Sequence, residues 1–294
     1  MNQSVKLVLV IVAAVALGIA VVTSSADPQH VRNDADRLNI VSSFYPLHEF
    51  VGRVGGDRVD AALLVPAGVE PHDWEPTVRE VQQLQASDMI VINGAGFERW
   101  VDGLLDGKYG GMIADTSAGI SVREEGSGSD PHIWLSPPNA MIQVQNIADM
   151  LSLLDPPNKA YYQSNAEKYV AELAELDSGI REGLSGCSSD FVSFHDAFSY
   201  FADEYGLTQH SIIQSTDPRI EATARTIQDV ILLARDLGMD VVFSEDTANS
   251  RTSEIIADEI GGTVLVLSPL EINTGGTYVS VMNENLENLR EALC

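Results

Sequence analysis

Between Pro157 and Leu184 the chain runs without a strand signal. Tyr162, Ala166, Tyr169, Leu173, Leu176, Ile180 and Leu184 recur every three or four residues and form one apolar stripe. Asp155-Pro156-Pro157 precedes the segment and Ser185-Gly186 follows it. A helix of this size spans roughly 42 Å at 1.5 Å per residue, more than a single compact domain needs. Such an element joins two bodies, so the chain is expected to fold as two lobes bridged by this helix.

The flanking segments say what kind of lobes these are. Short, nearly continuous apolar runs occur at Asn39–Phe44, Val59–Val65, Asp88–Asn93, Phe191–Phe194, Asp240–Ser244 and Thr263–Leu267. Runs of this type suit parallel strands buried on both faces. Helical patterns lie between them. Thr77-Val78-Arg79-Glu80 is a capping box opening a helix to Ala86. Ser136-Pro137 starts another that reaches Leu154. Glu221–Leu237 stops at Gly238, and Ser253–Ile260 at Gly261-Gly262. A terminal helix is expected over Asn283–Leu293. Alternation of this kind predicts α/β architecture, with two Rossmann-like (β/α) lobes at residues 38–155 and 187–294 and the linking helix at 156–186. Glu124–Ser129 reads as a short flexible loop.

The N-terminus bears on compartment. Val5 to Val22 is apolar or small apart from Lys6, about 18 residues, at the threshold for spanning a bilayer. Residues 1–26 are expected to be a signal peptide or an N-terminal membrane anchor, with Thr23-Ser24-Ser25-Ala26 as the cleavage option. No Cys follows at which a lipid anchor would attach. Residues 27–37, polar and charged, are expected to be a tether. Export places the protein outside the cytoplasm, where oxidation is permitted. Cys187 opens the second lobe and Cys294 ends the terminal helix, so a Cys187–Cys294 bridge is expected.

The formal net charge is −26. No Lys/Arg cluster exists to neutralise phosphates, which excludes a nucleic-acid partner. The acidic residues are dispersed rather than gathered in a tail.

Three of the six histidines stand where chemistry is expected. His72 follows the strand ending at Val65, His132 directly precedes a helix start, and His195 ends the strand from Phe191. Ligands in open α/β sheets bind beyond the carboxyl ends of strands. Converging there, three neutral imidazoles suit Zn²⁺ or another divalent transition ion, with a fourth place for a carboxylate or water. His30 in the tether, His48 on the first helix and His210 are read as ordinary. Gly94-x-Gly96 begins a dinucleotide fingerprint, but its third glycine position is Arg99. Trp74, Trp100 and Trp134 are read as packing around the cleft.

The surrounding motifs carry a resemblance over essentially the whole chain after the tether. They are Ser43-Phe44-Tyr45-Pro46-Leu47, Gly55-Gly56-Asp57, Glu70-Pro71-His72-Asp73-Trp74-Glu75-Pro76, Asn93 to Trp100, Asp130-Pro131-His132-Ile133-Trp134-Leu135, Phe194-His195-Asp196-Ala197-Phe198-Ser199-Tyr200-Phe201, Tyr205-Gly206-Leu207, Ser268-Pro269-Leu270 and Tyr278. In this order they resemble the zinc/manganese-class solute-binding proteins of metal-importing ABC transporters. The resemblance implies a metal site between two lobes, with His72, His132 and His195 as ligands. It implies capture of one divalent ion outside the cytoplasm and delivery to a permease driven by its ATPase subunit, by a monomer that is not an enzyme. It also implies an acidic fourth ligand just before the final Pro-Leu turn, where this chain has Ser268. Glu245, at the end of the strand Asp240–Ser244, is the carboxylate expected to take that place or to hydrogen-bond a ligating histidine. Imidazole ligands favour Zn²⁺, with Mn²⁺ the alternative. The loop Glu124–Ser129 lacks the histidines common among zinc specialists of the family. Two other readings fit the residues: a three-histidine zinc hydrolase with Glu70, Glu75 or Glu245 as base, and a surface adhesin on the same fold.

Overall fold

A computed structural model describes residues 37–104, 109–125, 128–246 and 250–294. The expected signal peptide or anchor and residues 27–36 of the tether lie outside the described residues. Among the described residues no helix is long and apolar enough to cross a membrane.

The N-terminal half is built on a parallel sheet. Its strands are β1 (Leu38–Ser42), β2 (Val59–Leu63), β3 (Met89–Ile92) and β4 (Met112–Asp115), in the order β2-β1-β3-β4. Pairing of β1 with β2 continues past the strand, as Leu64 N–H donates to Ser42 O (2.9 Å) and Val65 N–H to Ser43 O (3.0 Å). Helices α1 (Tyr45–Gly55), α2 (Val78–Gln85), α3 (Val101–Leu104) and α4 (Pro137–Leu154) follow in chain order. The Glu80 carboxylate accepts the Thr77 N–H at 2.7 Å, completing the start of α2, and Ser136 Oγ caps α4. Glu124–Ser129 is not an open loop: β5 (Glu124–Glu125) and β6 (Gly128–Ser129) pair antiparallel.

The long helix α5 (Lys159–Gly183) follows a 3₁₀ turn at Pro156–Asn158. It starts later than the sequence suggests because Pro156 and Pro157 lack N–H groups and form the tighter turn instead. Tyr162, Ala166, Tyr169, Leu173, Leu176 and Ile180 are all buried, so the whole stripe is used. The helix packs along α4 and α1, and also against the terminal helix.

The C-terminal half pairs β7 (Asp190–His195) with β8 (Thr208–Ile213), and β9 (Val241–Ser244) with β10 (Thr263–Val266), both parallel, with β7 beside β9. Helices α6 (Ser199–Tyr205), α7 (Ala224–Leu237), α8 (Arg251–Ile260) and α9 (Tyr278–Leu293) complete it. Helix α7 begins at Ala224 rather than Glu221 because Thr223 Oγ1 caps it, accepting the Thr226 N–H at 3.1 Å. Helix α9 begins at Tyr278, five residues before the sequence suggests, behind Thr277 as cap.

The largest apolar cluster extends through both halves, from Ile40 and Phe44 across the α5 stripe to Leu289 and Leu293. A half-buried carboxylate ties the same elements. Glu49 of α1 accepts the backbone N–H of Tyr278 (2.6 Å) and the hydroxyl of Tyr169 (3.2 Å), joining α1, α5 and the N-terminus of α9. Cys187 and Cys294 are disulfide-bonded with their Cα atoms 4.6 Å apart, fixing the end of α9 to the segment ahead of β7.

The bridge closes a loop of 107 residues, and a cross-link of that span stabilises by constraining the unfolded chain. Cys294→Ser is expected to lower stability by about 2–5 kcal/mol in denaturant titrations. Alkylation without reductant should label neither cysteine of the wild-type chain; mass shifts for two free thiols would show the bond does not form.

Candidate metal centre

Four donor side chains arrive at one point from loops that leave the carboxyl ends of parallel strands. His72 lies beyond β2, after a turn in which Val69 N–H bonds Pro66 O and Gly68 takes φ 77°. His132 follows the β5–β6 hairpin and precedes a 3₁₀ turn at Ile133–Leu135. His195 is the last residue of β7. Glu271 stands beyond β10, behind Pro269 and Leu270, and Leu270 has φ 56°, a left-handed conformation rare for a residue with a branched side chain.

His132, His195 and Glu271 are buried, and His72 is 9% exposed. Glu271 Oε1 is 3.0 Å from His72 Nε2, 3.2 Å from His132 Nε2 and 3.5 Å from His195 Nε2. His132 Nε2 and His195 Nε2 are 3.2 Å apart. One ligand atom from each of the four lies within 4.8 Å of the others. A tetrahedral ion with bonds of about 2.0–2.1 Å separates its ligands by about 3.3 Å, so the spacing matches such an ion with little movement.

The rear of two imidazoles is fixed in the same way. Asp130 Oδ1 accepts both the backbone N–H of His132 (3.0 Å) and its Nδ1–H (2.8 Å). Glu245 Oε1 accepts the N–H of His195 (3.2 Å) and its Nδ1–H (2.5 Å). A carboxylate only accepts, so Nδ1 must carry the proton and Nε2 faces the centre as the donor to metal. Phe97 packs edge-on against His72 at 5.0 Å, and Trp134 lies 5.1 Å from His132.

The charges respond to burial. Burial opposes charging His195, but Glu245 and Glu271 outweigh it and hold its pKa well above the usual histidine value. His132 is likewise raised, burial being overcome by Asp130 and Glu271. His72, with burial dominant, is lowered. Burial alone would lift Glu271; the three imidazoles instead hold it well below the ordinary carboxylate range. Its second oxygen, Oε2, is buried and has no hydrogen-bond partner among the described residues. A sealed carboxylate with an idle oxygen, facing three Nε2 atoms, is a donor set complete for a divalent cation.

The structure brings His72, His132 and His195 together with Glu271. Ser268 is not in the cluster: its hydroxyl donates to Asp246 and accepts the Leu270 N–H at 3.2 Å, so it is spent on shaping the turn. Glu245 is behind the His195 ring and hydrogen-bonds it, the second of the two places expected for it. The carboxylate that joins the three imidazoles is Glu271, directly after the Pro269-Leu270 pair; its only sequence signal is an acid at that place. Glu70 accepts the His72 N–H at 2.8 Å. His210 bonds Asp190 at 2.8 Å, and His48 is on α1. The Gly94-x-Gly96 turn holds no room for phosphate, since the buried Glu98 already accepts the N–H groups of Asn93 (2.7 Å) and Gly94 (3.1 Å).

In the metal-free protein, His195 and His132 are expected to stay protonated above the reference value of about 6.5, and His72 to lose its proton below it. Imidazole NMR titration checks the ordering; a His195 that titrates below His72 would contradict the charge balance described.

A family described as "Zinc-uptake complex component A periplasmic" matches residues 40–292. The chain is 32% identical over 309 residues to the high-affinity zinc uptake system protein ZnuA of Bacillus subtilis (strain 168), covering 97% of each. The crystal structure of Zn(II)-bound AdcA from Streptococcus pneumoniae is similar at TM-score 0.79 and 34% identity, over 87% of this chain and 57% of that one. The laminin binding protein Lmb of Streptococcus agalactiae, described as bifunctional with adhesin and metal transporting activity, is similar at TM-score 0.82 and 30% identity, over 87% of this chain and 99% of that one. The chain belongs to the ZnuA family of periplasmic zinc-uptake components.

Proposed function

We propose that this protein captures one Zn²⁺ ion outside the cytoplasm on His72, His132, His195 and Glu271 and delivers it to an ABC permease for import. The observation that carries this is the convergence of three Nε2 atoms and a carboxylate oxygen on one buried point. Three borderline nitrogen donors with one oxygen suit Zn²⁺ better than Mn²⁺, which prefers more oxygen. In this reading residues 38–155 and 187–294 act as two lobes about the linking helix at 156–186, and the N-terminal segment exports or anchors the chain. The disulfide belongs to the same extracytoplasmic reading.

A carrier reading fits the donor set better than a hydrolase. Catalytic zinc keeps a position open for water or substrate, whereas here four protein donors fill a tetrahedron. The adhesin reading rests on the shared fold alone.

Release needs a moving part. Helix α5 is buried along its whole stripe, so bending it would break packing throughout the core. His72 is the most exposed ligand, and its loop is tied across the entrance by Asp73, which pairs with Arg219; Arg219 is itself held by Asp217 (Oδ1, 2.9 Å). Local movement of the His72 loop opens the site without swinging the halves apart.

Each of His72→Ala, His132→Ala and His195→Ala is expected to weaken Zn²⁺ binding by several orders of magnitude in chelator competition. Glu245→Gln, which keeps every ligand, should cost about 10–100-fold. Wild-type binding by all three histidine variants would sink the assignment. Because each imidazole must be free of a proton at Nε2 to ligate, protons compete with the ion, so affinity should fall as pH drops from 8 to 5. Calorimetry in buffers of different ionisation enthalpy reads the released protons, and a pH-independent affinity contradicts the scheme. Small-angle scattering should show no change of several Å in radius of gyration on metal removal; such a change would mean that the halves do separate.

A further inference from the structure

The segment that carries Glu271 has no regular secondary structure between β10 and α9, and yet it must present a carboxylate to sub-ångström tolerance. Asn285 holds Ser268 through both its N–H and its carbonyl (2.8 Å each), and a second side chain holds the next residue. The indole Nε1–H of Trp134 donates to the carbonyl of Pro269 at 2.8 Å, two residues before Glu271. Trp134 is fully buried, and its own carbonyl accepts the Tyr278 hydroxyl at 2.6 Å. The same indole lies 5.1 Å from the His132 ring and 5.3 Å from Phe97, which packs on His72. It is two residues from His132 in the chain, on the loop that delivers that ligand. Trp134 therefore packs on His132 and on the support of His72, and its single side-chain polar atom is directed at the turn that bears Glu271.

Resting on the zinc-capture reading above, we infer that Trp134 is a positioning residue for Glu271: its Nε1–H holds the Pro269 carbonyl so that the left-handed Leu270 turns the carboxylate into the site. Packing alone does not require a nitrogen at that place. Phe44, Phe97 and Trp134 form an aromatic wall with ring separations of 4.6–5.3 Å, which a phenyl ring would largely preserve. The N–H is needed because Ser268 and Asn285 fix the turn on either side, while Pro269 O has no other hydrogen-bond donor among the described residues.

The test uses Trp134→Phe in the full chain, with far-UV circular dichroism to confirm folding. Zn²⁺ affinity is measured by chelator competition, and Co²⁺ is used as a coordination probe. The variant is expected to lose about tenfold or more in Zn²⁺ affinity. Its Co²⁺ visible spectrum should move toward that of Glu271→Ala, in which water replaces the carboxylate. In the Glu271→Ala background the Trp134→Phe loss should shrink below twofold, because the indole acts through that carboxylate. A loss as large in that background as in wild type would make Trp134 a general structural residue and overturn the inference, as would a folded variant with wild-type affinity and spectrum. If Trp134→Phe does not fold, benzothienylalanine at position 134, which keeps the bicyclic ring and removes the N–H, carries the test: a spectral shift of the same kind supports the inference and an unchanged spectrum overturns it. A wild-type chain that binds neither ion overturns the capture reading itself, and this inference with it.

Discussion

Glu271 sits sealed among three imidazoles, and the chemistry of the molecule turns on that contact. An ionised carboxylate buried alone is prohibitively costly, and so is an unpaired imidazolium. Together they are tolerable in two states. Without metal, Glu271 is stabilised by the imidazoles that surround it, at 3.0 Å from His72 Nε2 and 3.2 Å from His132 Nε2. With metal, the cation stabilises it. The site therefore sets protons and a divalent ion in competition for the same imidazoles. Glu271 is the carboxylate that faces all three imidazoles; its Oε2, like Asp130 Oδ2 and Glu245 Oε2, is buried with no hydrogen-bond partner among the described residues.

Such a site works only if its donors are held apart and aimed before the ion arrives. The two rear carboxylates do this locally, each gripping one histidine through both backbone and ring. The fold does it globally. His72 and His132 come from the half built on the four-stranded sheet, His195 and Glu271 from the half built on β7–β10. Their separation depends on how these halves are held, and three devices hold them: the buried stripe of α5, the Glu49 carboxylate bonded to α5 and α9, and the Trp134–Pro269 hydrogen bond. Each spans from residues before the long helix to residues within or beyond it.

This division also explains what was legible in the chain. The three histidines could be found because each follows a strong apolar run or opens a capped helix, and strand ends are where such sheets present ligands. The stripe of α5 was legible because helical periodicity survives in any context. Strands β4 and β8 escaped because they are short or carry polar residues in their first half, Thr208-Gln209-His210 being a run no strand pattern flags. Glu271 escaped for a different reason. Its placement depends on Leu270 at φ 56°, a conformation that leucine does not advertise, so the turn reads as ending at Pro269-Leu270 and the search stops at Ser268. Glu98 shows the converse: two glycines suggested a phosphate cradle, while the acid that fills it was two residues further on.

The surface and the site divide the work of selecting a cation. A net charge of −26 raises the concentration of every divalent cation near the protein, by long-range attraction that salt screens over about 10 Å at 0.1 M. That attraction cannot choose among ions, because it depends on charge alone. Choice must be made where the hydration shell is removed. Ca²⁺ and Mg²⁺ demand six or more oxygen donors or retained waters, and a buried set of three nitrogens and one carboxylate offers neither. A borderline ion content with four ligands loses little on entering. The acidic exterior therefore governs how fast ions arrive, and the buried imidazoles govern which one stays. Substitutions that neutralise surface acids would slow capture without changing the preference, whereas any loss of a nitrogen donor would change the preference itself.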